Sequence, residues 1–182
     1  MDAFDYAFNQ TLNLEGIYSD DSADRGGRTK YGITEIVFQD ALRRGLISGV
    51  SDIRDLTTAQ AKGIYKTDYW LRIRLHEILN VNIAAEIFDT AVNMGRNSAI
   101  KIAQESLNFL GEDLVIDGII GLKTIEALNR WSKKDERALF VCLNGFQFMK
   151  YVGIIKYNLT QIKFAMGWTK RIQQLRRNNN GD

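Results

Sequence analysis

Four carboxyl groups crowd into one short stretch near the N-terminus: Glu15, Asp20, Asp21 and Asp24. Glu15 closes an apolar helical pattern and precedes Gly16, Ile17 and Tyr18. Such surroundings can partly desolvate a carboxyl, raise its pKa and keep it protonated as a general acid. The three aspartates lie in a polar run rich in Ser, Gly and Arg, where hydration keeps carboxylates ionised. Two carboxyls in unlike environments are what glycosidic cleavage requires. One protonates the leaving oxygen, and the other activates water or stabilises the developing positive charge. The same spacing also suits a solvated acidic loop, a set of helix caps or a calcium site. The alternating ligands and distal Glu of an EF-hand loop are missing, which weakens the calcium reading.

Other chemistries find less support. The single histidine, His76, and the single cysteine, Cys142, are far apart and give no zinc-ligand spacing. Cys142 sits in an apolar run and reads as a buried core thiol rather than a nucleophile. No metal site and no cofactor are expected. Net charge is +2 but uneven: residues 1–132 carry 14 basic and 19 acidic side chains, and residues 133–182 carry 10 and 3. The basic C-terminal part could attract an anionic polymer or simply be a solvated helix surface. The acidic N-terminal stretch argues against nucleic acid, because it would repel phosphate. The first residues do not resemble a signal peptide. No apolar stretch is read as long enough for a transmembrane helix, so stable membrane insertion is not expected.

These carboxyls must be held by a mainly helical scaffold. Proline is absent, so glycine does most of the breaking. Phe4, Ala7, Phe8 and Leu12 predict an amphipathic helix over 3–14. Thr34 is expected to cap a helix to about Arg44, and Thr57 or Thr58 another through Tyr69-Trp70. Ile83, Ala84, Ile87, Phe88, Ala91 and Val92 predict a buried helix over 81–94. Ser98 is expected to cap the next, to about Leu110. Two more are expected from Gly121 to Trp131 and from Glu136 to about Tyr157, and a last one capped by Thr160. Strand signals are confined to Tyr31-Gly32-Ile33 and Val115-Ile116. The fold class is mainly α, with a short irregular or β-hairpin segment near the N-terminus.

The stretch from Glu15 to Thr34 resembles the N-terminal signature of glycoside hydrolase family 108, EGGYxxDPxDxGGxTxxGIT. The matching residues are Glu15, Gly16, Tyr18, Asp21, Asp24, Gly26, Gly27, Thr29, Gly32, Ile33 and Thr34. Ile17 stands at the second family glycine, and Ser22 and Arg25 stand where prolines are usual. Later segments resemble the family in order. Tyr65 to Trp70 is its aromatic segment, and Phe88 to Gly95 reads as FDxAVNxG. Asp117 to Thr124 reads as the DGxxGxxT turn of its peptidoglycan-binding region, and Phe164 to Arg171 as the FxxGWxxR end.

The resemblance implies an N-acetylmuramidase of lysozyme-like helical fold, with Glu15 as the acid, Asp24 as its partner and Thr29 holding a water. Tyr18, Asp20, Asp21, Tyr31, Tyr69, Trp70 and Asn93 are candidate substrate contacts. Each has a plainer alternative, since aromatics at helical spacing are more often core and Asn93 could satisfy a buried group. Residues 1–90 are expected to form the catalytic region, 91–175 a peptidoglycan-binding helical region, and 176–182 a frayed tail. A non-catalytic peptidoglycan-binding module is the competing reading. The expected protein is a monomer, made in the cytoplasm and acting on the cell wall after release by a holin or a secretion system.

Overall fold

The computed structural model describes residues 1–12, 18–19 and 28–177. It divides into two compact units, Met1–His76 and Glu77–Asp182. Among the described residues the fold is mainly α, with a small sheet near the N-terminus.

In the first unit, helix α1 (Ala3–Leu12) buries Phe4, Ala7, Phe8 and Thr11 on the face that their spacing prescribes. Three two-residue strands follow: β1 (Tyr18–Ser19), β2 (Thr29–Lys30) and β3 (Ile33–Thr34). All pair antiparallel in the order β1-β2-β3. Between β2 and β3 lie only Tyr31 and Gly32, with φ of 52° and 73°. Two positive φ values in a two-residue loop are the signature of a type I′ hairpin, whose twist matches that of the strands. The expected strand Tyr31-Gly32-Ile33 is therefore the tip and start of this hairpin. Thr34 ends β3 and caps α2 (Glu35–Arg43), its side chain accepting from the Val37 N–H. Helix α3 (Thr58–Tyr65) begins with a reciprocal capping box between Thr57 and Gln60. It runs on into a π-helical turn, Lys66–Leu71.

The second unit is a helical bundle. Asn80 caps α4 (Val81–Met94), and every residue from Ile83 to Ala91 is buried. Truncating a buried aromatic such as Phe88, which is 0% exposed, costs about 3–5 kcal/mol in comparable cores. Gly95 joins α4 to α5 (Arg96–Phe109) with φ +86°, a conformation that disfavours other residues. That turn starts α5 ahead of Ser98, so Ser98 is not its cap. Helix α6 (Leu122–Tyr157) is bent at Asp135, which has φ −160° and ψ 87°. The Asp135 side chain accepts from the Ala138 N–H and so restarts the helix beyond the bend. Asn158, not Thr160, caps the next turn, a 3-10 segment Leu159–Phe164 that leads into α7 (Ala165–Arg177). Val115 and Ile116 lie in an exposed loop rather than a strand.

Helix α4 packs with α5 and α6 in the second unit. One sequence expectation changes. Helix α6 contains an 18-residue window of mean hydropathy 1.5, long and apolar enough to cross a membrane by length and composition. This corrects the expectation that no such stretch exists. A third of that window is buried within the fold.

Candidate active site

The hairpin is the scaffold of the candidate site. Glu15, Asp20, Asp21 and Asp24 lie outside the described residues, as does the side chain of Tyr18. β1 sets Tyr18 opposite Lys30 and Ser19 opposite Thr29, and β2 sets Thr29 opposite Thr34. Thr29 thus sits in the central strand, half-buried. Its side chain points away from the face that carries Lys30, because successive strand residues alternate.

The base of the hairpin is fixed by charge. Arg28 reaches Glu35 at 3.0 Å and Asp52 at 3.1 Å. The Glu35 N–H also donates to the Arg28 carbonyl at 2.9 Å. Asp52 caps the 3-10 turn Ile53–Asp55 and accepts from both the side chain and the backbone N–H of Arg54. These bonds to Arg54, with Arg28 adding to them, hold the Asp52 carboxyl well below the usual carboxylate range. Lys30 spans the same contact, donating to the Arg54 carbonyl. Sequence reading did not single out Arg28, Glu35 or Asp52. The position of Arg28 between the glycine pair and Thr29 was the available signal.

The hairpin tip is tied to the helical part of the same unit. The buried Tyr65 hydroxyl donates to the Tyr31 carbonyl at 2.9 Å. Tyr31 is a non-glycine residue at positive φ, a conformation that costs roughly 1–2 kcal/mol. The bond from Tyr65 helps hold it there, leaving the Tyr31 ring half-buried with the Lys30 ammonium 5.5 Å from its centroid.

The remaining aromatic candidates separate. Trp70 is 3% exposed and meets Phe4 edge-on at 5.7 Å. Phe4, Phe8, Tyr65 and Tyr69 continue this cluster at 5.3 to 5.8 Å spacings. Trp70 is therefore part of the core, and this corrects its expected role in sugar stacking: a ring so covered offers no face to a sugar. Tyr69 is half-buried at the end of the cluster. Beside them, Asp68 binds Arg44, with one contact at 2.9 Å, so the π-helical turn is anchored to the end of α2.

In the second unit, Asn93 accepts from the Tyr151 hydroxyl at 2.8 Å. Tyr151 stacks on Trp168 at 4.7 Å with an interplanar angle of 9°. Arg171 forms a buried ion pair with Asp89 at 2.7 Å. The FDxAVNxG helix and the FxxGWxxR end thus meet as interlocking structure. Arg171, counted among the surface cations from sequence, is only 7% exposed. In the DGxxGxxT turn, Asp117 accepts from Gln104 and from the Ile119 N–H, while Gln104 accepts from the Gly118 N–H. That turn is shaped by a buried glutamine, with Gly118 at φ +76°.

None of the curated proteins matches the chain. Residues 8–95 match the family glycosyl hydrolase 108, and residues 98–173 match a predicted peptidoglycan domain. The chain is also similar to the solved structure of Brucella abortus SagA, at 27% identity and a TM-score of 0.73, over 96% of this chain and 92% of that one. The junction of the two matches falls at Gly95 and the start of α5, where the backbone turns between two packed helices. Residues 8–95 thus carry the likeness to the glycosyl hydrolase 108 family, and residues 98–173 the likeness to a predicted peptidoglycan domain.

Proposed function

We propose that this glycoside hydrolase cleaves the β-1,4 bond between N-acetylmuramic acid and N-acetylglucosamine in peptidoglycan, with Glu15 as general acid. The proton of Glu15 passes to the glycosidic oxygen as the bond to the anomeric carbon breaks. Asp24 is the partner carboxylate, supporting the positive charge at that carbon or activating the incoming water, with Asp20 and Asp21 behind it. Thr29 orders the water from the central strand, and Tyr18, Tyr31 and Tyr69 contact the sugars. The peptidoglycan domain holds the polymer. Acting as a monomer, the enzyme reaches the wall after release by a holin or a secretion system.

The observation that carries this reading is the family match over residues 8–95, which contains Glu15 and the whole carboxylate stretch. Support for Thr29 comes from its place in the middle strand of a hairpin pinned by Arg28 and Tyr65. The test is mass analysis of fragments released from purified peptidoglycan. Fragments ending in reducing N-acetylmuramic acid are expected. Reducing N-acetylglucosamine would assign the other glycosidic bond, and no glycan cleavage would leave a binding protein.

A further inference from the structure

The second half of α6 has two apolar faces, and the bundle uses one of them. Leu139, Leu143, Gln147 and Tyr151 are buried in the second unit. The outward face follows the i, i+4, i+7 spacing of one helix side: Val141, Gly145 and Phe148 are exposed, with Met149 beside them, and Val152 and Ile155 continue the line half-buried. Val141 is 51% exposed, Phe148 46% and Met149 65%. No acidic side chain lies on this stripe. Arg137 stands one turn before Val141 and Lys156 one turn after Val152, both exposed. Apolar exposure continues with Tyr157, the last residue of the helix, at 96%, and beyond it with Leu159 at 72% and Ile162 at 62%, and Lys163 is exposed among them.

An exposed apolar patch of this kind marks an interaction site. Its chemistry decides the occupant. Glycan would call for hydrogen-bonding groups, which Val141, Met149, Val152 and Ile155 lack. A second copy of the chain would set the exposed cations of this segment, Arg137, Lys150, Lys156 and Lys163, against the same cations of its partner. An anionic bilayer satisfies both features. Its acyl region accepts the apolar row, and its headgroups accept cations whose aliphatic stems reach outward from the row's ends. We propose that this face of α6 docks on an anionic lipid surface and lies along it. It does not span the bilayer, because the opposite face, with Asn144 and Gln147, is packed into the bundle.

The test uses the full chain and sedimentation with two kinds of vesicle, phosphatidylcholine alone and phosphatidylcholine mixed with phosphatidylglycerol. Binding to the anionic vesicles is expected to be about tenfold tighter or more, and to weaken with added salt. Phe148→Gln with Met149→Gln should weaken it about tenfold. Both side chains are exposed, so the thermal unfolding curve should not move, and Val141→Gln provides an independent variant of the same face. Equal binding of wild type and these variants to anionic vesicles would overturn the proposal, because cations alone would then suffice. Absence of vesicle binding would overturn it too. A dimer of the wild type that Phe148→Gln dissolves would assign the face to a second copy instead.

Discussion

Asp89 on α4 and Arg171 on α7, 82 positions apart, form an ion pair at 2.7 Å with both side chains buried. The pair joins the last helix of the segment matching the hydrolase family to the last helix of the peptidoglycan domain. By packing, α4 groups with the helices of the second unit. Removing one partner leaves the other charged and buried, which costs about 3–5 kcal/mol. Arg171→Gln should lower the urea unfolding midpoint accordingly, whereas Lys170→Gln, at an exposed site, should shift stability by less than about 0.5 kcal/mol. Equal effects of the two would show that the pair does not hold the bundle.

Glu86 is 0% exposed, beside Asp89 on the same helix. Burial first, and then the charge of Asp89, push its pKa up to about 8, with the nearby Asn144 amide acting the other way. Below the ordinary value of 4.5 the group is neutral in both folded and unfolded chains and costs nothing. As pH rises from there toward about 8, the unfolded chain ionises and the folded one does not, so stability falls by up to about 5 kcal/mol. The lowered carboxyls Asp52, Glu112 and Asp117 act the opposite way, and their contributions are lost only at more acidic pH. Glu86→Gln should flatten the slope in the window between. Urea melts across that range decide it, and an unchanged slope would remove Glu86 as the cause.

Tyr31 occupies a position where asparagine is preferred ahead of glycine in a type I′ turn. Tyr31→Asn should leave stability unchanged or raise it by up to about 1 kcal/mol, while lowering the rate of wall cleavage. Thermal unfolding and turbidity clearing of cell walls measure the two effects. A loss of stability with full activity would mean that the ring serves the hairpin rather than the substrate.

Much of this architecture was legible in the sequence, for local reasons. Thr34 and Thr57 cap helices because each precedes an apolar helical pattern with its partner donor in reach. The buried α4 followed from its apolar density. Ser98 and Thr160 misled because Gly95 and Asn158 had already set the chain direction a few residues earlier. Arg171 could not be told from the surface cations, since its partner Asp89 is 82 positions away. Trp70 looked like a sugar platform until its contact with Phe4, from the other end of the unit's sequence, placed it in the core. The carboxylate stretch was the clearest signal in the sequence, and Glu15, Asp20, Asp21 and Asp24 all fall outside the described residues.

Among the aspartates, Asp24→Asn should reduce activity more than Asp20→Asn or Asp21→Asn. Asp24 stands closest to the glycine pair and to Thr29, whose strand is fixed at its base by Arg28. Turnover of the three purified variants on the same wall preparation settles the order. A larger loss at Asp20 or Asp21 would move the partner role there.

The most direct measurement is the activity of Glu15→Gln on purified peptidoglycan, alongside its unfolding curve. The amide is nearly isosteric with the acid but has no proton to give the leaving oxygen. The expected result is a folded protein, with wild-type stability to within about 1 kcal/mol, that still binds peptidoglycan and releases fragments at least about 100-fold more slowly. Fragment release close to the wild-type rate would contradict the assignment of Glu15 as the catalytic acid.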